Sequence, residues 1–426
     1  MSIAVLFILF FGLLVVGAPI AIALGASTFI ALVSFTPISP IEISSMIFEK
    51  IEHYSLMAIP MFILAGALLS KGSSATRIIE FAKSIVGHLP GGLPISAIFA
   101  SIIFAAVSGS SPATVVAIGS IMFGAIVQAG YPQKYAVGTI ATAGSLGILI
   151  PPSIVLIVFG VTAEVSIGKL FMAGVVPGIM LGLMLMIVTY IGAVRLGFKR
   201  TEPQPFRVRL KKMREASWGL MTIVIVIGGI YGGIFTPTEA AAVAAMWAFF
   251  ISVFVYKDIK ISEFFDIALS SAKTTAMIMF IIANAMLFAH FLTMENVPQL
   301  ITQTLVEWNV DKIMFLIFVN ILLVVAGAFM EPSAIIMIMV PLLLPVAVAL
   351  GIDPIHFGIM ITINMELGMV SPPVGLNLFV TSSLTGMPMK DVVVATLPWT
   401  ATIFVGLMLV TYIPEISLWL PNLMYG

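Results

Sequence analysis

Apolar stretches long enough to approach or cross a lipid bilayer recur along the whole chain, separated by short polar or Gly- and Pro-containing breaks. In the first half the pattern predicts spans at about 3–17, 19–35 and 55–71, a helical hairpin at 90–130, an interrupted helix at 133–163 and a last helix at 172–195. In the second half it predicts the same series at about 217–235, 238–256, 274–292, 312–350, 355–385 and 394–413. This is the pattern of an all-α polytopic membrane protein.

A more polar stretch precedes the third span of each half, at 41–55 and at 259–273. The spacing of apolar residues in both stretches predicts an amphipathic helix that lies in the membrane interface.

The two halves also resemble each other in sequence. Pro112 matches Pro332, and the double proline at 151–152 matches the one at 372–373, each at an offset of about 220 residues. The arms of each hairpin are short for a full crossing of about 20 residues, which favours re-entrant hairpins. Each half then has five crossings, and an odd number places the second repeat upside down relative to the first.

Composition supports a membrane location and excludes several classes of protein. Of 426 residues, 61% are hydrophobic and 9% are charged, and the mean hydropathy is +1.19. A soluble domain has about 25% charged residues. The net charge is zero and the basic residues form no patch interleaved with aromatic residues, which argues against nucleic acid as a partner. The absence of cysteine excludes disulfides, Cys-ligated metal centres and a thiol nucleophile. We interpret the N-terminus as a first span rather than a cleaved signal peptide.

Positive charge is concentrated near the chain midpoint, where prolines break the helical pattern. The positive-inside rule places this segment in the cytoplasm, so both termini are expected in the periplasm. Eight of the 19 basic residues lie here: Arg195, Lys199, Arg200, Arg207, Arg209, Lys211, Lys212 and Arg214. The chain is therefore expected to comprise a first repeat at 1–195, a basic linker at 196–215 and a second repeat at 216–426.

Four breaks interrupt apolar sequence at 108–112, 144–153, 326–332 and 364–377, and they form two repeat-related pairs. Gly and Pro release backbone groups from the helix, and such groups are tolerated at membrane depth only inside protein or beside water. Freed carbonyls with Ser or Asn oxygens suit Na⁺, while the positive ends of half-helices suit a carboxylate. The first pair is expected to form one site and the second pair its mirror image.

Ionisable residues inside the predicted spans are few. Glu331 and Glu366 fall in the second pair of breaks, where each could coordinate a cation or relay a proton; Glu331 could equally cap a half-helix. Glu239 is expected to form a capping box with Thr236 or Thr238. No H-E-x-x-H, G-x-S-x-G or Walker A sequence is present, so we expect neither an enzyme nor an ATPase, and an ion gradient must supply the energy.

Six collinear runs resemble the large membrane subunit (DctM type) of tripartite ATP-independent periplasmic (TRAP) transporters. They are GAPIAIALG, IPMFILAGALLSKG, SGSSPATVVAIGSI, GILIPPSIVLIVFG, FTPTEAAAVAA and GIDPIHFGIM with SPPVGLNLFV. The wider fold resembles the ion transporter superfamily, whose members move by an elevator mechanism. The resemblance implies a scaffold at roughly 1–71 and 216–292 and a transport domain at roughly 90–195 and 312–413.

The resemblance also implies function, location and partners. It implies a sodium-driven importer of a small organic anion in the bacterial inner membrane, with Na⁺ as coupling ion, no other metal and no cofactor. The expected partners are a small four-helix membrane subunit, a periplasmic substrate-binding protein and the lipid bilayer.

By the same resemblance, the hairpin tips and broken helices carry the ions and the substrate. The sodium-binding candidates are Ser108, Gly109, Ser110, Ser145, Gly147, Gly327, Glu331, Gly368 and Ser371. The substrate-binding candidates are Ser111, Thr114, Pro152, Ser153, Asn364, Pro373 and Asn377. The alternative hypothesis is a stand-alone cation- or proton-coupled antiporter of the same superfamily that uses Glu331 and Glu366.

Overall fold

The computed structural model describes residues 2–308 and 310–425, which form helices joined by short turns. The first half contains α1 (Ser2–Val15), α2 (Ile20–Phe35), α3 (Pro40–Ile51), α4 (Ala58–Lys71), α5 (Ser74–Val86), α6 (Gly92–Ser108), α7 (Ser111–Gln128), α8 (Gln133–Ser145), α9 (Ile154–Thr162) and α10 (Ile167–Arg195). Short 3₁₀ turns precede α4 (Tyr54–Met57) and follow α8 (Leu146–Ile148).

The second half repeats this order of elements. It contains α11 (Phe206–Ile223), α12 (Gly229–Tyr231), α13 (Pro237–Phe250), α14 (Ile261–Met294), α15 (Val297–Glu307), α16 (Lys312–Gly327), α17 (Pro332–Ala349), α18 (Pro354–Met369), α19 (Leu376–Thr385), α20 (Met389–Tyr412) and α21 (Glu415–Tyr425). A π-helical segment, Val224–Gly228, joins α11 to α12, and a second, Ile251–Val255, extends α13.

The predicted fold class, an all-α polytopic membrane protein, is confirmed. Within the described residues, eight helical segments are long and apolar enough to cross a bilayer, and no strand occurs. The predicted hairpins correspond to α6–α7 and α16–α17. The predicted interrupted helices correspond to α8–α9 and α18–α19.

The helix ends define two ends of the bundle. At the end that carries the basic linker, contacts join Thr201 to His88, Ser73 to Asp258 and Lys134 to Asp391. At the opposite end, contacts join Ser2 to Glu295 and Thr238 to Tyr54. We call these the linker end and the opposite end.

The two halves exchange half-helices. The first-half segment α9 packs against α17, where the Thr162 hydroxyl donates to Met337 Sδ at 3.0 Å. In return, the second-half segment α19 packs against α7 and α8, where Asn377 Nδ2 donates to Ser111 Oγ at 2.7 Å. Each hairpin is therefore completed by a half-helix from the other half of the chain.

The expectation of a separate interfacial helix at 259–273 is wrong, because this stretch is the beginning of α14, a continuous helix of 34 residues. No Gly or Pro interrupts 261–294, so nothing in the sequence stops the helix. In the first half, α3 does end, at Ile51. The pattern also missed the helices α5, α15 and α21.

The predicted capping box at the start of α13 is confirmed. Thr236 Oγ1 accepts from the Glu239 amide at 3.3 Å, and Glu239 Oε2 accepts from the Thr236 amide at 2.8 Å. Glu239 therefore satisfies a helix terminus, as the sequence indicates.

The exchange between halves can be tested by cross-linking, because the chain has no native cysteine. Thr162→Cys combined with Met337→Cys places two thiols at a site where the native side chains touch. We expect oxidation to abolish maleimide labelling of the denatured double variant. The control pair, Thr162→Cys with Val348→Cys, lies roughly 16 Å further along α17 by helical rise and should remain labelled. Equal labelling of both pairs would contradict the packing of α9 on α17.

Candidate ion- and substrate-binding site

The tip of the first hairpin is a tight turn that releases backbone oxygens from the helix. Gly109 has φ +60°, and a Cβ there would lie 2.7 Å from the Pro152 carbonyl oxygen. Only glycine fits this turn without strain. The Ser108 and Thr114 hydroxyls lie 2.8 Å apart, and Thr114 Oγ1 donates to the Ser110 carbonyl at 2.9 Å. Ser108, Gly109 and Ser110 are sodium-binding candidates, and Thr114 is a substrate-binding candidate.

The first interrupted helix packs directly on this tip. The Ile154 amide, at the start of α9, donates to the Gly109 carbonyl at 3.4 Å. A Cβ on Gly147 would lie 2.6 Å from the Ser110 carbonyl oxygen, so the two backbones touch. Ser153 caps α9 by accepting from the Leu156 amide at 3.3 Å. Residues 149–153, which include Pro152, are buried.

Ser145 and Ser111 lie deeper in the same cluster. Both are fully buried: Ser145 Oγ donates to the Thr142 carbonyl at 2.7 Å, and Ser111 Oγ donates to the Gly144 carbonyl at 3.0 Å. Asn377 Nδ2 reaches Ser111 from α19, and Asn377 Oδ1 has no hydrogen-bond partner in the part of the chain that the structure describes. The sequence grouped Asn377 with the second pair of breaks, but its side chain completes the first cluster.

The second cluster forms where α16 and α18 touch. A Cβ on Gly368 would lie 2.6 Å from the Cα of Gly327, so the two backbones meet without side chains between them. Asn364 Nδ2 donates to Asn320 Oδ1 at 2.7 Å, while Asn364 Oδ1 is buried without a hydrogen-bond partner among residues 2–308 and 310–425. Asn320 is a buried polar residue of the hairpin that the sequence analysis did not single out.

The second hairpin tip and the second broken helix are joined as in the first cluster. The Ala328 carbonyl accepts from the amides of Val374 at 3.1 Å and Gly375 at 3.2 Å. Ser371 Oγ donates to the Leu367 carbonyl at 2.6 Å and extends the end of α18. Unlike the buried loop of the first cluster, residues 372–374, which include Pro373, are exposed.

The two candidate carboxylates have different environments. Glu331 is half-buried and caps α17: it accepts from the amides of Ser333 at 2.9 Å and Ala334 at 3.2 Å, and from Ser333 Oγ at 3.0 Å. Glu366 is fully buried, and neither of its carboxylate oxygens has a hydrogen-bond partner among the described residues. Glu331 therefore caps a helix, as one of the two interpretations expects, whereas no hydrogen bond within the described residues explains the burial of Glu366.

A cavity of about 380 Å³ lies beside the first hairpin tip, between α4, α14 and α7. Apolar residues such as Ile63, Val116 and Ile278 line it, together with six residues that carry hydroxyl groups: Ser70, Ser108, Ser110, Ser270, Ser271 and Thr274. Ser271 is only 5% exposed, and its hydroxyl has no hydrogen-bond partner among the residues that the structure describes. The sequence pattern does not reveal the α14 residues, because their polar surroundings favour an interfacial helix, although 270, 271 and 274 share one side of a helix.

The structure therefore brings the four breaks together as two clusters, 108–112 with 144–153 and 327–332 with 364–375. Interrupted helices paired inside an apolar bundle are typical of secondary transporters. The fold is shared with the solved structure of the YdaH transporter from Alcanivorax borkumensis. The TM-score is 0.64 at 12% sequence identity, and the likeness covers 91% of this chain and 90% of that one. The protein is therefore a multi-pass helical membrane protein with a fold that is also found in a transporter.

The comparisons of sequence give the family. The model of the tripartite ATP-independent periplasmic transporter DctM component matches residues 7–416, and the chain belongs to this family. The C4-dicarboxylate TRAP transporter large permease protein DctM of Pseudomonas aeruginosa is 52% identical over 400 residues, 94% of each chain. The protein of the same name from Vibrio cholerae is 49% identical, and the match covers 100% of this chain and 99% of that protein. The sialic acid TRAP transporter large permease protein SiaM of V. cholerae is 34% identical and covers 97% of each.

The contact between Gly327 and Gly368 leaves no room for a methyl group. We expect Gly368→Ala to lower the melting temperature of the detergent-purified protein, because overpacking of this kind costs about 1–3 kcal/mol. Gly124→Ala is the matched control, since a Cβ at Gly124 has nothing within 4 Å. Its melting temperature should be unchanged or slightly higher. Equal melting temperatures for Gly368→Ala and the parent would contradict the close approach of α16 and α18.

Proposed function

We propose that this chain is the large permease of a sodium-coupled importer of a C4-dicarboxylate. The substrate class is proposed from the names of the most similar relatives given above, which span nearly the whole chain. Sodium coupling is proposed from the arrangement of helix ends in the two clusters, which is the observation that carries the mechanism.

The C-terminal ends of four helices lie at the two clusters. Ends of α6 and α8 lie at the first, and those of α16 and α18 meet at the second. A helix C-terminus presents unpaired carbonyls and about half a negative charge, which suits a cation. Ser108, Ser110 and Ser145 would help to hold one Na⁺. Gly327, Gly368 and Ser371 would hold a second through backbone and hydroxyl oxygens.

The N-terminal ends of α7, α9, α17 and α19 begin at the same clusters and suit the carboxylates of the substrate. The first turns of α7 and α19 are joined by the hydrogen bond between Ser111 and Asn377. We propose that Ser111, Ser153 and Asn377 face the substrate. The unpartnered Asn377 Oδ1 supports this role, since a buried acceptor without a donor is costly.

We further propose that the two halves are inverted repeats and that transport follows an elevator mechanism. In this proposal the scaffold includes α4 and α14, and the moving transport domain includes both hairpins and both broken helices. The hydroxyl-lined cavity lies between these two parts, at the tip of the first hairpin, and would form the route by which substrate leaves.

The partners and location are part of the same proposal. The isethionate TRAP transporter permease protein DctMQ of Oleidesulfovibrio alaskensis is 40% identical, and the match covers 97% of this chain but only 65% of that protein. We propose that a separate four-helix subunit corresponds to the part of DctMQ that this chain does not match. We also propose that a periplasmic binding protein delivers the substrate. The chain would lie in the inner membrane with the linker end in the cytoplasm.

Sodium binding can be measured without knowing the substrate. We expect Na⁺, and not K⁺ at equal ionic strength, to raise the melting temperature of the purified protein saturably. A ligand at a hundredfold excess over its Kd stabilises the native state by about 2.7 kcal/mol. Ser110→Ala or Ser371→Ala should reduce the shift. Ser120→Ala, which removes an exposed hydroxyl from α7 away from the tip, should not. Identical curves in Na⁺ and K⁺ would contradict the proposal.

A further variant separates ion binding from passage of the substrate. Ser271→Leu adds bulk to the hydroxyl-lined cavity but substitutes no residue of either cluster. We expect it to keep the Na⁺-dependent melting shift and to lose sodium-driven dicarboxylate uptake in proteoliposomes supplied with both partners. Normal uptake by this variant would show that the cavity is not the route.

A second candidate function is a stand-alone antiporter in which Glu331 and Glu366 carry the coupling cation or proton. The fully buried Glu366 favours it, because ionisable residues within membrane-spanning bundles often mark the pathway of an ion. We expect Glu366→Gln to abolish this activity, measured as ion flux in liposomes without binding protein. If the sodium-coupled importer is correct, the parent shows no such flux, and Glu366→Gln retains the Na⁺-dependent melting shift.

A further inference from the structure

An apolar groove of about 630 Å³ lies at the linker end, away from both clusters. It is formed by the beginnings of α8 and α20 and by the end of α10. Its walls are aliphatic: Val188, Ile191, Leu196, Val394 and Pro398. Ile191, Leu196 and Val394 are each more than two-fifths exposed, so the groove opens outward along the side of the helices.

Two aromatic residues line the groove, and their polar atoms are already used. Tyr135 donates its hydroxyl to the Thr189 carbonyl, and Trp399 Nε1 donates to Thr189 Oγ1 at 2.8 Å. Their rings meet edge to face with centroids 5.3 Å apart. A Cβ on Gly192 would lie 2.8 Å from the Tyr135 ring, so glycine at this position makes room for the ring. These contacts make the groove rigid. Because the polar atoms of both rings are occupied, an apolar group rather than a polar ligand fits against the rings.

Two cations flank the apolar walls. Lys134 pairs with Asp391 at 2.9 Å, and both side chains remain substantially exposed. Arg195 also lines the groove, and no acidic side chain among the described residues pairs with it. Even with Asp391 counted, the mouth carries a net positive charge.

We propose that this groove binds an anionic phospholipid. The headgroup phosphate lies between Arg195 and Lys134, and an acyl chain lies along the aliphatic walls. Basic pockets between helices at one membrane face bind anionic headgroups, and Tyr and Trp favour the headgroup level. A soluble anion would leave the apolar walls unused, whereas a zwitterionic lipid would leave the positive charge unbalanced.

The position of the groove gives the bound lipid a structural consequence. Its three walls belong to α8, which leads into the first interrupted helix, and to α10 and α20. These elements are held together at this level by the Thr189 hydrogen bonds to Tyr135 and Trp399. A lipid that fills the groove adds apolar contacts across all three helices. It therefore stabilises the beginning of α8, the helix that ends at Ser145.

The test compares two lipids on the purified full chain. Phosphatidylglycerol titrated into detergent-solubilised protein should raise the melting temperature saturably, and phosphatidylcholine of the same acyl chains should raise it less. Arg195→Gln should weaken phosphatidylglycerol binding about fivefold, because one basic residue near an anionic surface contributes about 1 kcal/mol. It breaks no ion pair, and its melting temperature in phosphatidylcholine should match the parent.

Two further measurements complete the test. Arg207→Gln removes a positive charge of α11 that does not line the groove, and its response to phosphatidylglycerol should equal that of the parent. Val394→Trp fills the groove and should abolish the selective response. The proposal is overturned if the two lipids act equally, if inorganic phosphate reproduces the phosphatidylglycerol shift, or if Arg195→Gln and Arg207→Gln respond alike.

Discussion

Backbone amides and carbonyls that leave a helix inside a bilayer have no water to bind, so each must find a partner within the protein. This constraint governs the core of the bundle, where four helices stop short at two clusters. The Gly109 carbonyl accepts from Ile154, and the Ala328 carbonyl accepts from Val374 and Gly375. Each hairpin tip is thus tied to the loop of a broken helix, and neither element is complete without the other.

Small residues at the clusters follow from the same constraint. Backbone can bind backbone only when no side chain keeps the two chains apart, and Gly109, Gly147, Gly327 and Gly368 all lie at such contacts. The oxygens that remain unused are then concentrated at helix C-termini, and the amides at helix N-termini. The sites that we propose for a cation and for a carboxylate are therefore by-products of stopping helices in the membrane interior.

The sequence predicts most elements of the core because their signals are local. Apolar runs and Gly/Pro breaks place both hairpins and both broken helices within a few residues of their observed ends. What it misses depends on contacts between distant residues. Asn377 reaches Ser111 across 266 residues of sequence, and no periodicity reveals that pairing. The continuity of α14 was missed for another reason: polar residues at 259–273 suggested an interface, although nothing there breaks a helix.

The exchange of half-helices has a consequence for how the protein is made. Thr162 and Met337 are separated by 175 residues. At about 5–20 residues per second, synthesis leaves α9 without its partner for roughly 10–35 seconds. During that interval the non-helical loop before α9 and the Ser-rich tip of the first hairpin have been synthesised, while the α17 and α19 that complete the core do not yet exist. The nascent first half must therefore be sheltered by the insertion machinery or by transient water until the second half arrives.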